Sequence, residues 1–416
     1  MISRPHWLEG VGLAYILAVL LQGLLNIVIP WFGWMTPPDS RGPVIPGLVL
    51  LGWAGVVVLV LVVWRGDLTA RQWHLVVAVA AWCATPALSM VLHGSLQDTR
   101  FWPVAFTSVT VAAAGAVLSA RTVRRLMYCL GWFFGWGSVL AGISDVVWGW
   151  PEVLVLDADR FAQWLAILGI DVDEVASLNG LVGGRIFLGM TCAVLLVYVV
   201  RAMTGRATPA WMWAMPVGLA LAAMWSFARV GWFAILVGLL AALLPWERIR
   251  SWWLTVALLV LAIVPLVLLL TVGSKWIPDG TTRWRFDLWD EYLADPAMLG
   301  PFGIGPQNPP DWVRGHAHQQ FLESQATGGW LAIAGLVGFL ILGAVSVRAA
   351  AYTDNRAAIA VLFAAVAIFQ IDVVTFAPTF VNLNNAFVLI VVVVLSSARV
   401  HADVQSHRHE TVAIRS

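Results

Sequence analysis

The stretch from Trp253 to Val272 reads WLTVALLVLAIVPLVLLLTV, with no charged side chain. A helix of this length reaches about 30 Å, the hydrocarbon thickness of a bilayer. No water is available there to satisfy backbone amides and carbonyls, so the segment must pair them internally, as an α-helix does. Outward from this run, eleven further segments meet the same description. They are residues 10–30, 44–64, 73–92, 101–119, 126–147, 180–200, 209–225 and 229–245 before it, and 327–347, 357–377 and 382–397 after it. The break around Ser226-Phe227-Ala228 is so short that 209–245 also reads as one kinked hairpin. The expectation is an all-α, polytopic membrane protein of about 12 spans, a single integral domain over residues 1–416. Hydrophobic residues make up 60% of the chain and charged ones 11%, where soluble domains carry about a quarter of charged residues.

The net charge is +1, and no basic cluster is interleaved with aromatics, so nucleic acid is not an expected partner. Cys83, Cys129 and Cys192 all fall inside apolar runs and read as small, buried packing residues. The run after Ser3-Arg4-Pro5-His6 is too long for a signal-peptide core and has no small-residue cleavage site before Pro30, which makes it a retained first span. Positive residues in short loops stay in the cytoplasm. With both termini inside, cytoplasmic segments hold most of the 24 basic residues, among them Arg65, Arg71, Arg121, Arg124, Arg125 and Arg201. Residues 398–416 then form a cytoplasmic tail.

Two segments on the other side are long. Residues 148–179 form an acidic loop in which Asp157, Asp159, Asp171 and Asp173 flank Phe161 to Ile170, a candidate interfacial helix. Residues 272–326, between spans 9 and 10, hold most of the remaining polar chemistry. They run through Arg283-Trp284-Arg285, Trp289, Asp295-Pro296 and Gly303-Ile304-Gly305 to His316-Ala317-His318-Gln319, and Gly328-Gly329 opens the next span.

In this order the residues resemble the O-antigen ligase and Wzy-type polymerase superfamily. Its members carry an arginine at the start of a span and a long extracytoplasmic loop. That loop holds an Arg, a nearby Trp, a Pro before a Gly-x-Gly turn, and a His-Asn pair leading into a helix. Ser226 to Arg229, Arg285 with Trp289, Pro296, Gly303 to Gly305 and His318 follow that order, and the similar region is residues 225–342. Gln319 replaces the usual asparagine, and Ser226 stands three positions before Arg229 rather than directly before it.

The resemblance implies a GT-C-like fold and an inverting, metal-independent glycosyltransferase without a cofactor, in the bacterial cytoplasmic membrane. Such an enzyme takes a glycan from an undecaprenyl-diphosphate-linked donor to a hydroxyl of a glycan, glycolipid, protein or wall acceptor. It acts on the extracytoplasmic face, as a polysaccharide ligase or polymerase. Residue chemistry is compatible. Guanidinium groups bind phosphate bidentately without titrating, which suits Arg229 and Arg285 to a polyprenyl diphosphate. Interfacial anchoring, or ion pairing with Asp287, Asp290 or Glu291, is their plainer role. Arg185, at the end of a span, reads either as a third phosphate contact or as a paired charge. Imidazole titrates near neutrality, so His318 is the candidate general base, with a purely structural histidine as the alternative. His316 and His318 lack a convincing third metal ligand. The Asp157-Ala158-Asp159 and Asp171-Val172-Asp173 tripeptides read as solvated surface. A secondary transporter or flippase of lipid-linked saccharides would instead use ionisable residues near the midplane, such as Arg185 and Asp372.

Overall fold

A computed structural model describes residues 5–31, 44–66, 68–92, 101–150, 154–156, 176–182, 184–204, 207–244, 246, 251–268, 281–297, 299–305, 320–348, 353–371 and 386–397. Helices α1 (His6–Trp31), α2 (Val44–Arg65), α3 (Ala70–Leu92) and α4 (Phe101–Val117) come first. Helix α5 (Ala120–Trp132) continues through a π-turn at Phe133–Gly137 into α6 (Ser138–Trp148). A small antiparallel hairpin follows, β1 (Leu154–Leu156) with β2 (Ala176–Leu178), in which Leu154 faces Leu178. The remaining helices are α7 (Arg185–Met203), α8 (Ala214–Trp225), α9 (Arg229–Leu243), α10 (Ser251–Leu268), α11 (Thr281–Ala294), α12 (Gln320–Arg348), α13 (Thr353–Ile371) and α14 (Ala386–Ser397). Each apolar segment read from the sequence overlaps a helix. Among the described residues, His6–Leu25, Ala120–Trp148, Arg185–Met203 and Gln320–Val347 are long and apolar enough to cross a membrane, and six further apolar helices are shorter.

The layering follows from which helices are apolar all round. Described side chains of α13 after Arg356, those of α14, and those of α7 from Leu188 to Val199 are buried on every face, as expected of helices without a polar stripe. Helix α2 lies outside them. It turns Leu51, Val58 and Val62 inward, and leaves Leu50, Trp53, Val57, Val60 and Trp64 exposed at helical spacing. An apolar outer stripe of this kind suits lipid rather than water.

Contacts between helix ends sort the bundle into two ends. Gln72 donates to the Ala116 carbonyl at 2.7 Å, joining the start of α3 to the end of α4. Ser119 N–H donates to Glu9 at 3.0 Å, and the Thr122 hydroxyl donates to the same carboxylate, joining α1 to the start of α5. Gly115 approaches Val393 and Ser396, and Gly343 approaches Leu395, which brings the ends of α4, α12 and α14 to the same level. This basic end carries Arg65, Arg71, Arg121, Arg124, Arg125 and Arg201. The starts of α7, α9 and α12 lie at the opposite end.

Several expectations change. Residues 226–228 are a turn between two separate helices, in line with the segments 209–225 and 229–245 and against the kinked-hairpin alternative. The segment 272–326 is not loop throughout: it contains α11, and α12 begins at Gln320 rather than 327. Its first turns are polar but buried in protein, so hydropathy misplaces the start. Arg185 is the first residue of α7 and so stands at the end of a candidate span, where the sequence placed it. Cys129 is exposed, whereas Cys83 and Cys192 are buried. A residue facing lipid and one facing protein look alike in hydropathy. The candidate helix at 161–170 and the tail lie outside the described residues.

Candidate functional site

Two arginines meet at the starts of α7 and α9. The helices approach so closely that a Cβ added at Gly189 would stand 2.4 Å from the Ala228 Cβ, and one at Gly231 would stand 2.7 Å from the Gly189 carbonyl. Small residues are what allow such backbone contact. It brings Arg185, which is half-buried, and Arg229, which is exposed, near enough to act on each other electrostatically. Like charges held together favour an anion between them. The N-terminal ends of the two helices carry positive potential in the same direction.

Local bonds fix both starts. The Arg185 N–H donates to the Asn179 side chain at 2.9 Å, so the residue following β2 caps α7. In the turn before α9, the buried Ser226 hydroxyl donates to the Ala223 carbonyl at 2.7 Å and accepts from the Ala228 N–H at 3.3 Å. Phe227 adopts a left-handed backbone with φ of 50°, a costly conformation for a bulky side chain. It lets the chain reverse within three residues. The Trp232 indole braces the corner by donating to the Ala223 carbonyl at 3.0 Å. The three-residue offset between Ser226 and Arg229 thus has a structural role: the serine builds the corner from which the arginine starts.

The start of α12 is polar and buried. Gln320, Glu323, Ser324, Gln325 and Thr327 are all buried. Trp82 of α3 donates to the Ser324 hydroxyl at 3.2 Å, and Gln320 donates to it at 3.0 Å. The helix breaks at Gly329, where φ is 69° and ψ is −160°. The Gly-x-Gly turn sits in this break. Ile304 N–H donates to the Ala326 carbonyl at 2.7 Å, and Gln325 donates to the Gly300 carbonyl at 3.0 Å. A Cβ at Gly303 would lie 2.3 Å from the Ala326 oxygen, and one at Gly329 would lie 2.0 Å from the Pro301 oxygen. The glycines read from the sequence as turn geometry therefore also seat the turn against the helix. Glu323 was missed as a candidate, although an acidic residue in a first helical turn is a recognisable signal.

Helix α11 is amphipathic. Leu288, Trp289 and Tyr292 are buried, while Asp287, Asp290 and Glu291 are exposed. The side chain of Arg285, on this helix, lies outside the described residues. His316, His318, Asp157, Asp159, Asp171, Asp173 and Asp372 also lie outside the described residues. Among those that are described, no three His, Cys, Asp or Glu side chains gather as metal ligands.

The arginine corner at Arg229, the amphipathic helix α11 and the Gly-x-Gly seat all fall in one stretch of the chain that matches a family model. Residues 214–337 match the O-antigen ligase family. The match bears out the resemblance read from the sequence, and it spans Arg229, Arg285, His318 and the glycine seat, while Arg185 precedes it. The O-antigen ligase family implies glycosyltransferase-type activity in polysaccharide biosynthesis, on a lipid-linked glycan and an acceptor in a membrane. No curated protein and no solved structure matches the chain.

Proposed function

We propose that this protein is a metal-independent, inverting glycosyltransferase of the bacterial cytoplasmic membrane. It moves a glycan from an undecaprenyl-diphosphate carrier to an acceptor hydroxyl on the extracytoplasmic face. The observation that carries this reading is the pairing of Arg185 and Arg229 at adjacent helix starts, within or beside the O-antigen ligase match. About 12 spans, a cytoplasmic basic end and cytoplasmic termini complete the topology, because positive residues are retained inside.

The acceptor oxygen attacks the anomeric carbon as the bond from that carbon to the diphosphate oxygen breaks. The electron pair leaves on the diphosphate, and the anomeric centre inverts. Arg185, Arg229 and Arg285 stabilise the charge that develops there, each able to present a planar pair of N–H donors. His318 takes the acceptor proton. With the leaving charge met by guanidinium groups, a bridging cation has no task.

The test is reconstitution in proteoliposomes with an undecaprenyl-diphosphate glycan and a hydroxyl acceptor. The expected result is release of undecaprenyl diphosphate together with glycan transfer, at a rate unchanged by a chelator. Movement of the intact donor across the bilayer without bond cleavage would establish the transporter instead. Chelator inhibition reversed by manganese would replace the arginine clamp with a metal at the loop aspartates.

A further inference from the structure

Buried polar atoms without partners are uncommon, because each gives up its hydrogen bonds to water and gains none in return. Gln370 is 2% exposed, and among the described residues neither its Nε2 nor its Oε1 has a hydrogen-bond partner. Two routes locate it. The first is register. A Cβ at Gly238 of α9 would meet the Ala360 carbonyl of α13 at 3.1 Å. The helices are antiparallel, since α9 leaves the arginine end and α13 follows α12 from the basic end. Nine residues back along α9 from Gly238 is Arg229, and nine forward along α13 from Ala360 is Phe369. Both steps cover about 13.5 Å, so Gln370 is level with the start of α9. The second route is contact. The ring of Phe369, its chain neighbour, lies 6.0 Å from Trp82, and Trp82 donates to Ser324 in the first turns of α12. Gln370 thus lies at the depth of the arginine corner and of the first turns of α12, on a helix packed against α7, α9 and α12.

We infer that Gln370 binds the first sugar of the lipid-linked glycan, beside the diphosphate held by Arg185 and Arg229. This deepens the proposed function and rests on it. The amide itself selects the ligand chemistry. A phosphate would engage the Nε2 donor and leave the Oε1 acceptor unmet. Vicinal hydroxyls or an acetamido group offer both a donor and an acceptor, and satisfy both atoms together. The residue therefore senses whether the carrier bears a sugar.

The experiment measures binding of two probes to full-length protein in nanodiscs, undecaprenyl diphosphate and the same lipid diphosphate bearing one sugar. Gln370→Leu removes both amide atoms at similar volume. The expected result is a loss of about ten- to a hundred-fold in affinity for the sugar-bearing probe, with binding of the bare diphosphate unchanged. The melting temperature without ligand should rise, because two unsatisfied groups are gone. Gln370→Met repeats the comparison should the leucine variant not purify. Equal weakening of both probes, or no weakening of either, overturns the assignment. Failure of the wild-type protein to bind either probe would instead bring down the carrier reading itself, and this inference with it.

Discussion

The two ends of the bundle use the same residue type to different effect. At the basic end Arg65, Arg71, Arg121 and Arg125 are exposed on three helices, α2, α3 and α5, and one of them, Arg65, stacks over the Trp64 ring at 4.1 Å. At the other end Arg185 and Arg229 stand on two helix starts pressed together through Gly189 and Gly231. Arginines that are dispersed and hydrated serve orientation in the membrane. Held together against their own repulsion, on the positive ends of helices, they form a place for an anion. Position in the fold, rather than residue type, separates an anchor from a binding group.

The sharpest way to break this contrast is to remove the base proposed for the binding end. His318→Gln keeps a neutral hydrogen-bonding side chain but cannot accept a proton, and single-turnover transfer in proteoliposomes should fall by about 10²- to 10⁴-fold. Carrier binding should persist. Near-normal transfer by well-folded His318→Gln protein would leave a structural histidine and a different base.

Next in size is the comparison of arginines themselves. Arg229→Lys and Arg285→Lys should each cost about ten- to a hundred-fold in transfer, almost as much as alanine, because lysine keeps the charge and loses the planar fork. At the basic end, Arg65→Lys and Arg121→Lys should change transfer by no more than about two-fold. Equal tolerance at both ends would mean that charge alone matters.

Stability separates the ends less strongly. Gly329→Ala places a Cβ against the Pro301 carbonyl in a backbone region that only glycine occupies comfortably, and should cost about 1–3 kcal/mol. A thermal shift in detergent would read it, together with weakened transfer. The smallest effect belongs to Glu9→Ala. It removes the acceptor of the Ser119 N–H at the start of α5 and should cost about 1 kcal/mol while transfer stays at the wild-type rate. Loss of transfer there would mean that the two ends are mechanically coupled.

Much of this was legible in the sequence. Runs such as Trp253 to Val272 announce their helices by length and apolarity, and the order of Arg229, Arg285, Gly303 and His318 announced the O-antigen ligase match. What escaped did so for physical reasons. Helix α11 hides among charges because only one face of it packs. The start of α12 at Gln320 hides because protein, not lipid, buries its polar turns. The exposure of Cys129 could not be read, since lipid and protein interior are equally apolar. The meeting of Arg185 with Arg229 depends on two glycines in different helices, a coincidence that no local pattern encodes.

The seating of the Gly300 to Gly305 turn in the break of α12 sets the unit in which this region can be exchanged. At Gly303 and Gly329 two passages of chain touch backbone to backbone, with room for a hydrogen and nothing more. A graft that imports the loop from a relative but keeps the resident helix would pair surfaces that never evolved together. Recombination or engineering should therefore succeed when a crossover lies before Gly300 or after Gly329 and fail between them, which makes residues 300–329 one inheritable cassette.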